Sequence, residues 1–110
     1  MEPLTPAVFH ILLALVEGEK HGYAIMRDIA AQTSGKLTMG PGTLYGTLQR
    51  MRESGLIEEC GSKRDLALNE ERRRYYRLTR NGRRAASAEA ARLDELVRYA
   101  YSKALFKRPI

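Results

Sequence analysis

Between positions 72 and 84 the chain carries seven arginines, Arg72, Arg73, Arg74, Arg77, Arg80, Arg83 and Arg84, and no acidic residue, with Tyr75 and Tyr76 among them. Guanidinium groups at this density bind phosphate through planar, bidentate hydrogen bonds, so the segment suits a polyanion. Upstream, Gly40-Pro-Gly-Thr-Leu-Tyr-Gly-Thr-Leu-Gln-Arg-Met51 combines short polar side chains with an apolar stripe. Leu44, Leu48 and Met51 follow helical spacing and are expected to face inward, which turns Thr43, Gly46, Thr47, Gln49 and Arg50 outward and sets Tyr45 at the flank. That face carries groups able to read base edges. Gln49 can bond adenine bidentately, Arg50 can reach guanine or phosphate, and Thr43, Thr47 and the Tyr45 hydroxyl can bond either, while Gly46 permits close backbone approach. Arg72, Arg73 and Arg74 are expected to contact phosphates or enter a narrow minor groove, and Glu70 and Glu71 to point away.

The charge distribution agrees with this division of labour. Of 19 basic and 13 acidic residues, twelve and six lie between positions 36 and 84, so this middle segment holds all of the net charge of +6. A basic centre between nearly neutral ends reads as a nucleic-acid face rather than as general solubility. No nucleophile, base and orienting group recur at a catalytic spacing, and no glycine-rich phosphate loop follows a strand, so an enzyme is not expected and no cofactor is implied. His10 and His21 lack neighbouring ligands and are expected to cap or pack rather than bind metal. Cys60, the only cysteine, excludes an intrachain disulfide; it is expected to be an inert thiol, the alternative being a redox sensor with its pKa lowered by Lys63 and Arg64. The apolar run over residues 7–16 is too short for a membrane span and lacks the flanks of a secretory signal, and the chain is expected in the cytoplasm.

These groups need elements to hold them. Thr5-Pro6 is a natural helix start, and a first helix is expected over about residues 6–17. Val8, Leu12 and Leu15 occupy one face of it and Phe9, Leu13 and Val16 another, so it must be covered on two sides, one of them by a partner. A second helix is expected over residues 22–33, closed by Ser34-Gly35, with a brief strand at Leu37 and Met39. The third helix is expected from Gly40 to about Ser54. A hairpin follows, with strands at residues 56–59 and 73–78 and a polar loop between them. Thr79, with Gly82 three residues on, is read as a simple N-cap to a long last helix. Ala86, Ala90, Leu93, Val97, Ala100 and Ala104 recur at alternating spacings of four and three, a coiled-coil-like seam. The expected fold is mainly α with a small β-hairpin: a winged helix-turn-helix over residues 1–79 and a C-terminal dimerisation helix over residues 80–110.

His21-Gly-Tyr-Ala-Ile-Met-Arg-Asp-Ile29, Gly40-Pro-Gly-Thr-Leu-Tyr45, Glu53-Ser-Gly-Leu-Ile57 and Arg74-Tyr-Tyr-Arg-Leu-Thr-Arg-Asn-Gly82 together resemble the PadR family of bacterial transcriptional regulators, in order and over nearly the whole chain. The resemblance implies a winged helix with a C-terminal dimerisation helix, of the short type with a single helix after the wing. It also implies that Thr43, Tyr45, Gly46 and Gln49 lie on the recognition helix and Arg72, Arg73 and Arg74 on the wing. Some multidrug-binding members stack flat aromatic ligands on a tryptophan of the last helix; this chain has no Trp.

The expectation is a homodimeric repressor that binds double-stranded DNA at an inverted-repeat operator. Phe9, Leu13, Val16, Ala90, Leu93, Val97, Ala100 and Ala104 would form the dimer, and a small aromatic effector would bind near Leu93, Val97, Ala100 and Tyr101. Two other readings are a winged-helix module that binds a protein instead of DNA and a non-specific nucleic-acid packaging protein.

Overall fold

The computed structural model describes residues 4–61 and 74–105. Four helices and three short strands follow in the order α1 (Pro6–Leu15), β1 (Lys20–His21), α2 (Gly22–Gln32), α3 (Pro41–Glu53), β2 (Ile57–Gly61), β3 (Arg74–Leu78) and α4 (Arg80–Ser102). The strands form one antiparallel sheet in the order β1-β3-β2. Among the described residues no helix is long and apolar enough to cross a membrane.

Local chemistry explains the boundaries. Thr5 accepts the Val8 N–H at 3.2 Å and Pro6 opens α1, as its φ preference suits. The helix stops at Leu15, short of the expected end, and Gly18 follows at φ 150°. His21 caps α2 by accepting the Ala24 N–H on Nδ1 at 3.2 Å, and its ring meets Tyr75 edge-on at 5.5 Å, the structural role expected of it. α3 ends in a Schellman closure: the Leu56 N–H bonds the Met51 carbonyl at 2.9 Å while Gly55 takes φ 77°.

The core joins Ile11, Leu12 and Leu15 of α1, Ile25 and Ile29 of α2, Leu44, Leu48 and Met51 of α3, Ile57 and Tyr76 of the hairpin, and Ala85 and Ala86 of α4. The inward stripe expected for α3 is the one observed. Leu13 and Val16 stay 45% and 38% exposed, so the described residues leave the second apolar face of α1 partly uncovered.

Two expectations are corrected. Leu37 and Met39 form no strand: the Thr33 hydroxyl accepts the Leu37 N–H at 3.0 Å, folding this segment back over the end of α2, and both side chains pack against the core. The third strand is Lys20–His21, paired with Tyr76 and Tyr75. Ala104 does not continue the seam either. α4 ends at Ser102, and Ala104 takes φ 59° while the Leu105 N–H bonds the Ala100 carbonyl at 3.3 Å, so residue 104 closes the helix in the position that glycine usually fills.

The start of α4 is tied to the end of α3. Thr79 caps α4 by accepting the Gly82 N–H at 3.0 Å, donates its hydroxyl to the Gly55 carbonyl at 2.5 Å, and gives its own N–H to the Leu56 carbonyl at 3.1 Å. A Cβ on Gly82 would collide with that same Leu56 carbonyl oxygen, so only glycine fits the crossing. Further along α4 the buried Glu89 accepts two bonds from Arg92, at 2.8 and 2.6 Å, and a backbone bond from Leu4. The Arg92 guanidinium, with Leu4, holds its carboxyl below the usual range.

Candidate nucleic-acid interface

On α3, Thr43, Gln49 and Arg50 are exposed and Gly46 lies half-buried on the same side, while Leu44, Leu48 and Met51 anchor the opposite face in the core. The arrangement follows from helical spacing, since the anchored residues fix the rotation of the helix and leave the polar ones to solvent. A Cβ on Gly46 would come within 3.6 Å only of an Arg50 guanidinium nitrogen, so glycine here leaves the outer surface of the helix low.

Two expected contact residues are placed otherwise. Thr47 is 4% exposed, not outward; its hydroxyl donates to the Thr43 carbonyl at 2.8 Å and accepts from Arg50 Nη2 at 3.2 Å. The signal for this was present. Thr47 lies three residues after Leu44 and four before Met51, inside the apolar stripe, and a threonine hydroxyl can bond back to the carbonyl four residues earlier. Its work is to station Arg50. The Tyr45 ring packs against the core and its hydroxyl is buried over the start of α2, where a Cβ on Gly22 would sit 2.5 Å from it. That hydroxyl is turned from the outer face, and the tyrosine instead fixes α3 against α2.

The hairpin brings a second set of cations beside α3. Ile57 faces Leu78, Glu58 faces Arg77 and Glu59 faces Tyr76 in the antiparallel register. One side of the hairpin therefore runs from Ile57, Leu78 and Tyr76 in the core outward to Glu59 and Arg74. Arg74, a proposed wing contact, is exposed, with its Nε 3.9 Å from a Glu59 oxygen; the other oxygen of Glu59 lies 3.2 Å from Arg52 Nη1 of α3. On the other side Arg77 Nε bonds Glu58 at 2.6 Å. Burial, with Glu59 and Tyr45 nearby, pushes the Tyr76 phenol above its ordinary pKa. Arg72 and Arg73, with Glu70, Glu71, Lys63 and Arg64, lie outside the described residues.

Cys60 behaves as an inert thiol. Burial and the Glu19 carboxylate, to which Sγ donates at 3.2 Å, push its pKa up to about 11, opposite to the direction a redox sensor needs.

The second half of α4 leaves this body. Beyond Glu89 no described residue of the helix is buried, and Leu96, Val97 and Tyr99 are 51%, 38% and 63% exposed. Ala90 is exposed and Leu93, Ala100 and Tyr101 are half-buried.

Comparison with known proteins places this architecture. The model of the transcriptional regulator PadR-like family matches residues 11–88, from the second half of α1 to the first turns of α4. The chain belongs to this PadR-like family. The Mycobacterium tuberculosis transcriptional regulator Rv3488 is 32% identical over 89 residues, covering 81% of the present chain and 77% of that one. The Escherichia coli transcriptional regulator YqjI is 39% identical over 64 residues, 56% of this chain but only 31% of the relative's length. Bacillus subtilis PadR, solved in complex with operator DNA, superposes with a TM-score of 0.64 at 17% identity, over 99% of this chain and 51% of that one. This PadR-like chain is thus a winged-helix protein of a family of transcriptional regulators and not an enzyme. The motifs that carried the resemblance are also the structural joints: the His21 cap with Gly22 under Tyr45, the Gly55-Leu56 closure, and the Thr79 cap with Gly82.

Proposed function

We propose that this PadR-like protein is a cytoplasmic, homodimeric, sequence-specific DNA-binding repressor, with a winged-helix domain over residues 1–79 and a dimerisation helix over residues 80–110. The observation that carries the reading is the outer face of α3, where Thr43, Gln49 and Arg50 are exposed around the half-buried Gly46 and Arg52 shares Glu59 with Arg74 of the hairpin. A face of this kind pairs base readers with phosphate-binding cations. The operator complex of the Bacillus subtilis relative supports the same use of the fold. Arg72 and Arg73 join Arg74 as wing contacts in this reading, and Thr47 and Tyr45 support the helix without bonding DNA.

Dimerisation rests on two apolar faces that the described residues leave partly exposed, Phe9, Leu13 and Val16 on α1 and Ala90, Leu93, Val97 and Ala100 on α4. A two-fold dimer carries two copies of α3, so its operator is an inverted repeat with half-sites about 34 Å apart or a multiple of that. A small aromatic effector fits between the paired α4 helices near Leu93, Val97, Ala100 and Tyr101, where it would alter the spacing of the two α3 helices and release the operator.

Selection of bound duplexes from a random pool by the purified protein tests the reading. An inverted repeat is expected among the recovered sequences. Changing Arg72, Arg73 and Arg74 together to Ala should weaken binding and flatten the logarithmic salt dependence by about 0.9 for each phosphate that is no longer neutralised. Binding untouched by that triple change would favour a module that grips a protein, and recovery of random sequence would favour packaging.

A further inference from the structure

A carboxylate on a phosphate-facing surface repels the ligand, yet Glu59 lies in the notch of about 410 Å³ between α3 and β2 that Gln49 and Arg52 also line. It is not placed at random there. One oxygen of Glu59 meets Arg52 of α3 at 3.2 Å and the other faces Arg74 of β3 at 3.9 Å. One β2 residue thus links a cation on the base-reading helix to a cation on the wing. All three side chains are partly exposed, so the pairs add little to stability. What they do supply is orientation. A free arginine loses rotamer freedom when it grips a phosphate, whereas one already held by a carboxylate has lost part of it.

We propose that Glu59 is a specificity-determining positioning residue, which sets Arg52 and Arg74 for a matched operator and repels phosphates on duplexes that do not match. The inference rests on the DNA-binding reading above. On the matched site both arginines meet phosphates in their preset geometry, and the gain exceeds the repulsion by the carboxylate. On unmatched DNA the arginines find no such register, and the negative charge remains as a penalty. Discrimination thereby rises although total affinity for phosphate falls.

The test compares the full-length wild type with Glu59→Gln and Glu59→Asp, measuring fluorescence anisotropy on a duplex recovered from the random pool and on a scrambled duplex. Circular dichroism melts provide the folding check, and unchanged melts are expected because Glu59 lies outside the core. Glu59→Gln removes the negative charge and the hold together, so it should bind the scrambled duplex several-fold tighter and the selected duplex about tenfold more weakly. Glu59→Asp keeps the charge on a shorter arm; it should lose affinity for the selected duplex with no gain on the scrambled one. If Glu59→Gln tightens both duplexes equally, Glu59 is only a repelling charge and the positioning role is overturned. A wild-type preference that neither variant alters also overturns it, with the regulator reading intact. A wild type that binds both duplexes alike overturns the regulator reading and the specificity role with it.

Discussion

The winged body and the outer half of α4 use the same kinds of residue to opposite ends. In the body, Leu44, Leu48 and Met51 repeat at helical spacing and are at most 2% exposed, because α1, α2 and the hairpin close over them. In α4, Leu93, Val97 and Ala100 repeat in the same way, yet Val97 remains 38% exposed and the neighbouring Leu96 51%. Periodicity marks a face that needs covering; it does not say whether the chain covers it. A body closed by its own chain can be tested by damaging its joints, and an uncovered rod by changing its surface.

The largest effect should come at the junction of the two regions. Gly82→Ala drives a methyl group into the Leu56 carbonyl, and the resulting separation of α4 from α3 should cost about 3 kcal/mol or more in thermal or denaturant unfolding. A melt within a few tenths of a kcal/mol of wild type would show that the crossing is looser than the structure has it. On the rod, Leu93→Asp with Val97→Asp should leave the circular dichroism spectrum of the body unchanged while shifting sedimentation equilibrium from dimer to monomer, a weakening of at least about a hundredfold if the seam is the dimer core. Sedimentation identical to wild type would remove the seam from the dimer. At the rod's end, Ala104→Gly relieves an alanine held at φ 59°, and after the extra freedom of the unfolded glycine it should still stabilise α4 by about 0.5–1 kcal/mol.

The smallest effect belongs to Cys60. Its folded pKa lies above its unfolded value of 9.0, so its contribution to stability is fully present below pH 9 and is lost as pH rises toward about 11. Alkylation by iodoacetamide should therefore be slow at pH 8 and accelerate with a midpoint near 11, and fast reaction at neutral pH would contradict the Glu19 contact.

Sequence reading went furthest where a signal is local. The Thr5 cap with Pro6, the Gly55 closure and the core stripe of α3 all involve residues within two turns of one another, and each is found where spacing and propensity placed it. Thr47 was turned outward although its spacing from Leu44 and Met51 puts it with the inward stripe, and the Tyr45 hydroxyl was given a DNA contact because a helical wheel ignores what lies across from a residue. Thr47 sits at the edge of the buried stripe, where a bond to its own helix satisfies the hydroxyl, and the Tyr45 hydroxyl turns toward the space left by a glycine 23 positions away. The strand at Lys20–His21 was missed for a similar reason, since two residues carry no alternation and pair only because β3 offers them an edge.

Helix starts and stops, the basic segment and the rotation of α3 are written in the chain, because capping bonds and side-chain periods depend on near neighbours. Long-range meetings are not: the Glu59 link between Arg52 and Arg74, the passage of Gly82 over Leu56 and the packing of Tyr45 on Gly22 exist only once the hairpin and α4 have folded back on α3. Such contacts depend on the distance between residues far apart in sequence, a quantity that no local pattern encodes.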